Sequence, residues 1–78
     1  MIRVYREVYS KGNKCFLSAD SKVRQNTTVN DMINEIKKLN ADTEYSVEVV
    51  FVLSNFAIVK LESEDFIEMQ TISTLEVQ

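Results

Sequence analysis

The chain has 78 residues, 45% of them apolar, with no His, Trp or Pro, one Gly and one Cys. These numbers imply a single globular domain over residues 1–78. They exclude a disulfide within the chain and argue against histidine-based catalysis, a protein-only zinc site or a glycine-rich phosphate loop. The net charge of −3 conceals a split: residues 1–25 hold six basic and two acidic side chains, whereas residues 26–78 hold three basic and ten acidic ones.

In chain order, residues 2–9 alternate. Ile2, Val4, Arg6 and Val8 point one way; Arg3, Tyr5, Glu7 and Tyr9 point the other. Ser10-Lys11-Gly12-Asn13 predicts a turn, and a second strand follows at 14–19 with Cys15, Leu17 and Ala19 inward. A four-residue loop sets Tyr9 opposite Lys14, Val8 opposite Cys15, Arg6 opposite Leu17 and Val4 opposite Ala19. Arg6 interrupts the inward row, its stem suited to apolar surface and its guanidinium to water. Cys15, with no His to activate it, is expected to be a buried, inert thiol. Residues 20–27 read as polar and irregular.

A helix is predicted from Thr28, an N-cap with Asp31 three residues on. Val29, Met32, Ile33, Ile36 and Leu39 form its apolar stripe, and Lys37 and Lys38 suit its last turn. Tyr45–Leu53 is the richest strand signal. Tyr45, Val47, Val49, Phe51 and Leu53 make one row, and the other row turns apolar partway, which points to a central strand. Ser54-Asn55 turns the chain into a strand over Phe56–Leu61, giving a hairpin. In the last segment, Ser63 with Glu64 and Asp65 fits a helix start, while Ile72–Val77 fits a strand equally well. The reading adopted is a short turn of helix at 63–69 followed by a strand.

The order is thus β-β-α-β-β-(short α)-(β): an α+β domain with a mixed sheet packed on one helix. With Thr28–Ile33 at the helix start, Val50-Phe51-Val52 in the third strand, and Asp65-Phe66-Ile67 leading into Ser73–Val77, the pattern resembles the β-grasp fold of ubiquitin-like proteins and small immunoglobulin-binding domains. Conjugating and sulfur-carrying members of that group end in Gly-Gly. The ending Glu76-Val77-Gln78 differs and speaks against carboxyl-terminal activation. A shorter resemblance lies in Glu64-Asp65-Phe66 with Met69-Gln70-Thr71-Ile72, which is similar to the acidic C-terminal segment of a prophage-encoded anti-CRISPR inhibitor of a type II effector nuclease.

Two surfaces are candidates for function. One is the outward face of the N-terminal hairpin: Arg3, Tyr5, Tyr9, Lys14 and Phe16. Tyr, Phe and Arg are common protein anchors, and basic residues interleaved with aromatics also suit single-stranded nucleic acid. The other is acidic, centred on Glu62, Glu64, Asp65 and Glu68. Spaced negative charge imitates a nucleic-acid backbone and fits a basic groove. These carboxylates lack the spacing of a calcium loop, so no metal or cofactor is expected. The leading expectation is a small non-enzymatic protein-binding module, in its sharpest form a phage or mobile-element inhibitor of a host nucleic-acid enzyme acting through the acidic surface. Single-stranded nucleic-acid binding through the hairpin, or a role as an assembly subunit, are the alternatives. The alternating start is unlike a signal peptide, no ~18-residue apolar run predicts a membrane span, and one thiol fits a reducing compartment. The expected location is the cytoplasm of a bacterial or infected host cell.

Overall fold

Five strands and one helix make up the computed structural model, which describes residues 1–75. They run β1 (Ile2–Ser10), β2 (Cys15–Arg24), α1 (Val29–Leu39), β3 (Ser46–Leu53), β4 (Phe56–Glu62) and β5 (Phe66–Thr74). The strands form one sheet in the order β2-β1-β5-β4-β3, and every neighbouring pair is antiparallel. The α+β character expected from sequence is present in coarse form. The β-grasp expectation is not: the sheet is not mixed, and no helix separates β4 from β5. The predicted reach of the last strand to Val77, and the Glu76-Val77-Gln78 ending, lie outside the described residues.

Ser63 explains the missing second helix. Its hydroxyl accepts from Phe66 N–H at 3.1 Å, and its own N–H donates to the Phe66 carbonyl at 2.9 Å. The residue read as a helix cap therefore closes a tight turn between antiparallel strands, since a Ser side chain satisfies either kind of backbone end. Residues 66–69, with two β-branched or aromatic side chains, then continue as strand.

The helix follows from its sequence. The Thr28 hydroxyl accepts from Asp31 N–H, and the Asp31 carboxylate accepts from Thr28 N–H, a reciprocal capping box. Asn40 closes the other end without glycine: its backbone N–H and its side-chain amide both donate to the Ile36 carbonyl. Val29, Met32, Ile33 and Ile36 are buried against Ile2 and Val4 of β1, Ala57, Val59 and Leu61 of β4, and Ile72 of β5. Leu39, the last residue of the predicted stripe, is exposed.

Three further expectations are corrected by the sheet. β2 runs to Arg24, so residues 20–24 are strand. Its register differs too: Ser10 faces Cys15 and Tyr9 faces Phe16, and a bulge at Leu17 then sets Val8 opposite Ser18 and Arg6 opposite Asp20. Lys14, not Gly12, takes the left-handed backbone conformation of the turn, with φ 53°. Arg6 meets the Asp20 carboxylate at 2.8 Å, a pairing that the predicted partner Leu17 would have forfeited. Cys15 is exposed, because no described residue covers β2 at that end.

β3 is an edge strand, not a central one. β5 inserts between β1 and β4 and leaves β3 outermost. A bulge at Val50 also breaks its predicted row: Val49 pairs with Val59 on the helix side, whereas Phe51 pairs with Ile58 on the opposite side. A strand apolar on both faces thus arises from a phase change, with Val50, Phe51, Val52 and Leu53 each about half exposed.

Candidate binding face

One helix covers one side of the sheet. Strand partners directly opposite each other share a face, so the pairing registers define the other side row by row. The middle row is Ala19–Glu7–Met69–Lys60–Glu48, and beside it lies Ser21–Tyr5–Thr71–Ile58–Phe51. The flanking rows are Val23–Arg3–Ser73–Phe56–Leu53 and Phe16–Tyr9–Ile67–Glu62–Ser46. Among the described residues no element packs on these rows, since α1 contacts only the other side.

This open face is aromatic and aliphatic at its edges. Phe16 is 57% exposed, Leu53 52%, Phe51 48% and Tyr5 40%. Tyr9 and Phe16 meet edge to face with ring centroids 5.8 Å apart, and Phe51 and Phe56 do so at 6.2 Å. Glu7 stands between two tyrosines. The Tyr9 hydroxyl donates to its carboxylate, and the Tyr5 phenol flanks it. Both phenols, Tyr9 first, favour the ionised carboxylate, so Glu7 titrates below the usual carboxylate range, while the Tyr5 and Tyr9 phenols are pushed up.

Of the hairpin residues predicted to bind, Arg3, Tyr5, Tyr9 and Phe16 share this face. Lys14 lies in the turn, outside the rows. The predicted acidic set does not share a face. Glu62 is on the open side, held at 2.6 Å from Lys11 and 3.3 Å from Lys60, and these cations, Lys11 first, lower its pKa. Glu68 is on the helix side, 3.6 Å from Arg6 and bonded by the Gln70 amide. Glu64 and Asp65 are exposed in the β4–β5 turn. The charge split of the sequence is therefore met by cross-pairing, because the hairpin's cations reach the carboxylates of the later segments. Arg24 adds a third such pair, 2.8 Å from Glu35 on the helix.

A groove of about 480 Å³ opens on the helix side between α1, the hairpin and Tyr45. Buried Val4, Ile36 and Leu61 form its floor, and Arg6, Arg24 and Glu35 line it as members of the pairs just described. The predicted second strand, over 14–19, stops short of Asp20, Ser21, Lys22 and Arg24, which wall this space. Sequence reasoning also missed the far half of the open face. Phe56 and Ile58 were legible there, alternating with the buried Ala57, Val59 and Leu61, but Phe51 and Leu53 were hidden by the bulge.

Among the described residues, no group of three or more His, Cys, Asp or Glu side chains is placed to hold a metal ion, and no helix is long and apolar enough to cross a membrane. Comparison with family models, curated proteins and solved structures returns no match.

Proposed function

We propose that this chain is a small, non-enzymatic protein-binding module that engages its partner through the open face of the sheet. One observation carries the reading: a five-stranded sheet covered by a helix on one side only, with half-exposed aromatics across the other. Contiguous exposed apolar surface of this kind marks interaction sites, and Tyr, Phe, Met and Arg are the residues that protein interfaces favour. The lack of His and the exposed, unpaired thiol leave no nucleophile–base arrangement to support catalysis. The cytoplasm is the setting we propose, because a lone thiol suits a reducing compartment.

The protein partner is favoured over single-stranded nucleic acid by the charge on the face. Arg3, Lys60 and Lys11, which reaches Glu62, are balanced there by Glu7, Glu48 and Glu62, whereas strand-binding grooves are positive. Phosphate mimicry by Glu62, Glu64, Asp65 and Glu68 finds less support, since two of the four are ion-paired and they point to different sides. A tagged chain, used to capture other proteins or untagged copies of itself, tests the proposal. Capture is expected to fail for Phe16→Ala and Tyr5→Ala and to survive Glu64→Lys with Asp65→Lys. The reverse result, or capture of nothing by the wild type, overturns it.

A further inference from the structure

The pattern of charges on the open face fits a second copy of the same chain, an inference that rests on the reading of that face as the binding surface. We propose a symmetric dimer in which two open faces pack together about a two-fold axis running along β5, leaving the helices outermost.

β5 is the middle strand, with two strands on each side. An axis along it lays β5 on β5 of the second copy, β1 on β4 and β2 on β3. In the middle row Met69 then meets its own counterpart, and Glu7 meets Lys60 of the other copy. In the adjacent row Tyr5 meets Ile58, and on the other side Tyr9 meets Glu62. No like charges are opposed in any row. Symmetry makes each pair off the axis occur twice, the signature of an isologous interface. Sheets stacked in this way lie ~10 Å apart with strands within about 30° of one another, so the rows nearest the axis keep their register.

Glu7 is the side chain this arrangement completes. Tyr9 bonds it, but no cation within 4.0 Å neutralises it in its own chain among the described residues. An axis across the strands through the middle row would set Glu7 on Glu7. One through the Tyr5 row would set Glu7 on Arg3 and leave Lys60 on Phe56, so a dimer weakened by Glu7→Lys but not by Lys60→Glu would overturn the axis along β5. The size also suffices. The molecule extends 43 × 24 × 18 Å, and a sheet-and-helix domain is thinnest across its layers. The two longer extents therefore bound a face large enough for the roughly 800 Å² per partner of a stable interface.

Sedimentation equilibrium tests the dimer, combined with charge exchange. The wild type is expected at twice the 9.0 kDa chain mass. Glu7→Lys and Lys60→Glu, each confirmed as folded by circular dichroism, are expected to weaken the dimer about tenfold or more. Mixing the two variants restores both pairs in a heterodimer and is expected to recover association. Should either variant fail to fold, the wild-type mass and its loss in Phe51→Lys, which lies on the same face, still decide. A wild type that stays monomeric at several hundred micromolar, or a dimer indifferent to both charge changes, overturns the inference. If the wild type is monomeric yet captures another protein in a Tyr5-dependent way, the open face remains the binding surface and only the second copy is wrong.

Discussion

Ile72 sits fully buried on β5 between Val4 of β1 and Ala57 of β4, beneath the helix. Phe51 is larger, yet half of it faces solvent on the far side of the sheet. Burial, not size, sets what each contributes to stability. Ile72→Ala removes side-chain carbons from a closely packed core and leaves a cavity, so it is expected to cost about 2–5 kcal/mol, most of the stability of a chain this short. Phe51→Ala is expected to cost about 1 kcal/mol or less. Urea unfolding of the two variants at a protein concentration low enough to keep the chain monomeric checks the contrast, and equal losses would mean that the chain's own residues cover Phe51. At this scale much was legible in advance. The inward direction of Ile2 and Val4, the stripe Val29–Met32–Ile33–Ile36 and the capping role of Thr28 follow from spacing and side-chain chemistry, which act locally. Cys15 was misjudged because alternation gives a side to a residue without saying whether anything covers that side.

Elements were legible where their ends carry a specific signal. The helix has a Thr cap, an acidic first turn and a basic last turn, and the β3–β4 hairpin has a two-residue turn between apolar runs. The segment after β4 was misread because Ser63 offers the same hydroxyl to a helix start and to a strand turn. In the fold, that hydroxyl holds the Phe66 N–H that would otherwise lose its partner at a site where Ser63 is only 6% exposed. Ser63→Ala is expected to cost about 1–2 kcal/mol, while Ser63→Thr, which keeps an acceptor oxygen, costs less. Thermal unfolding of the pair tests the turn; an Ala variant as stable as the wild type would show that the bond contributes nothing. The bulges at Leu17 and Val50 were not legible at all. Each depends on what the partner strand presents, and each shifts the face of every residue beyond it.

The whole molecule closes through contacts between its oppositely charged parts. Lys11 reaches Glu62, Arg24 reaches Glu35, and Arg6 lies between Asp20 and Glu68. Glu35 and Glu62 titrate below their ordinary value because of these cations, and Glu7 does so because of its tyrosines. A carboxylate whose pKa is lower folded than unfolded stabilises the fold above its unfolded value, about 4.3 for Glu, and that contribution is lost as pH falls through the folded value. The midpoint of thermal unfolding is therefore expected to hold steady from about pH 7 to 5 and to drop below about pH 4. A midpoint that rises on acidification would contradict the pairing. These exposed pairs are individually weak and screened by salt, so the drop should shrink in 1 M salt.

By itself the sequence determined the helix that follows Thr28, four of the five strands and the inward direction of Ile2 and Val4, because those depend on neighbours a few positions away. Tertiary structure alone decided that β5 enters the middle of the sheet, that β3 becomes an edge, and that Glu62 and Glu68 part to opposite sides. It also decided that Tyr5, Phe16, Phe51 and Ile58 gather on one uncovered face. Those outcomes rest on pairing between segments far apart in the chain, whose register follows from which strand ends up beside which.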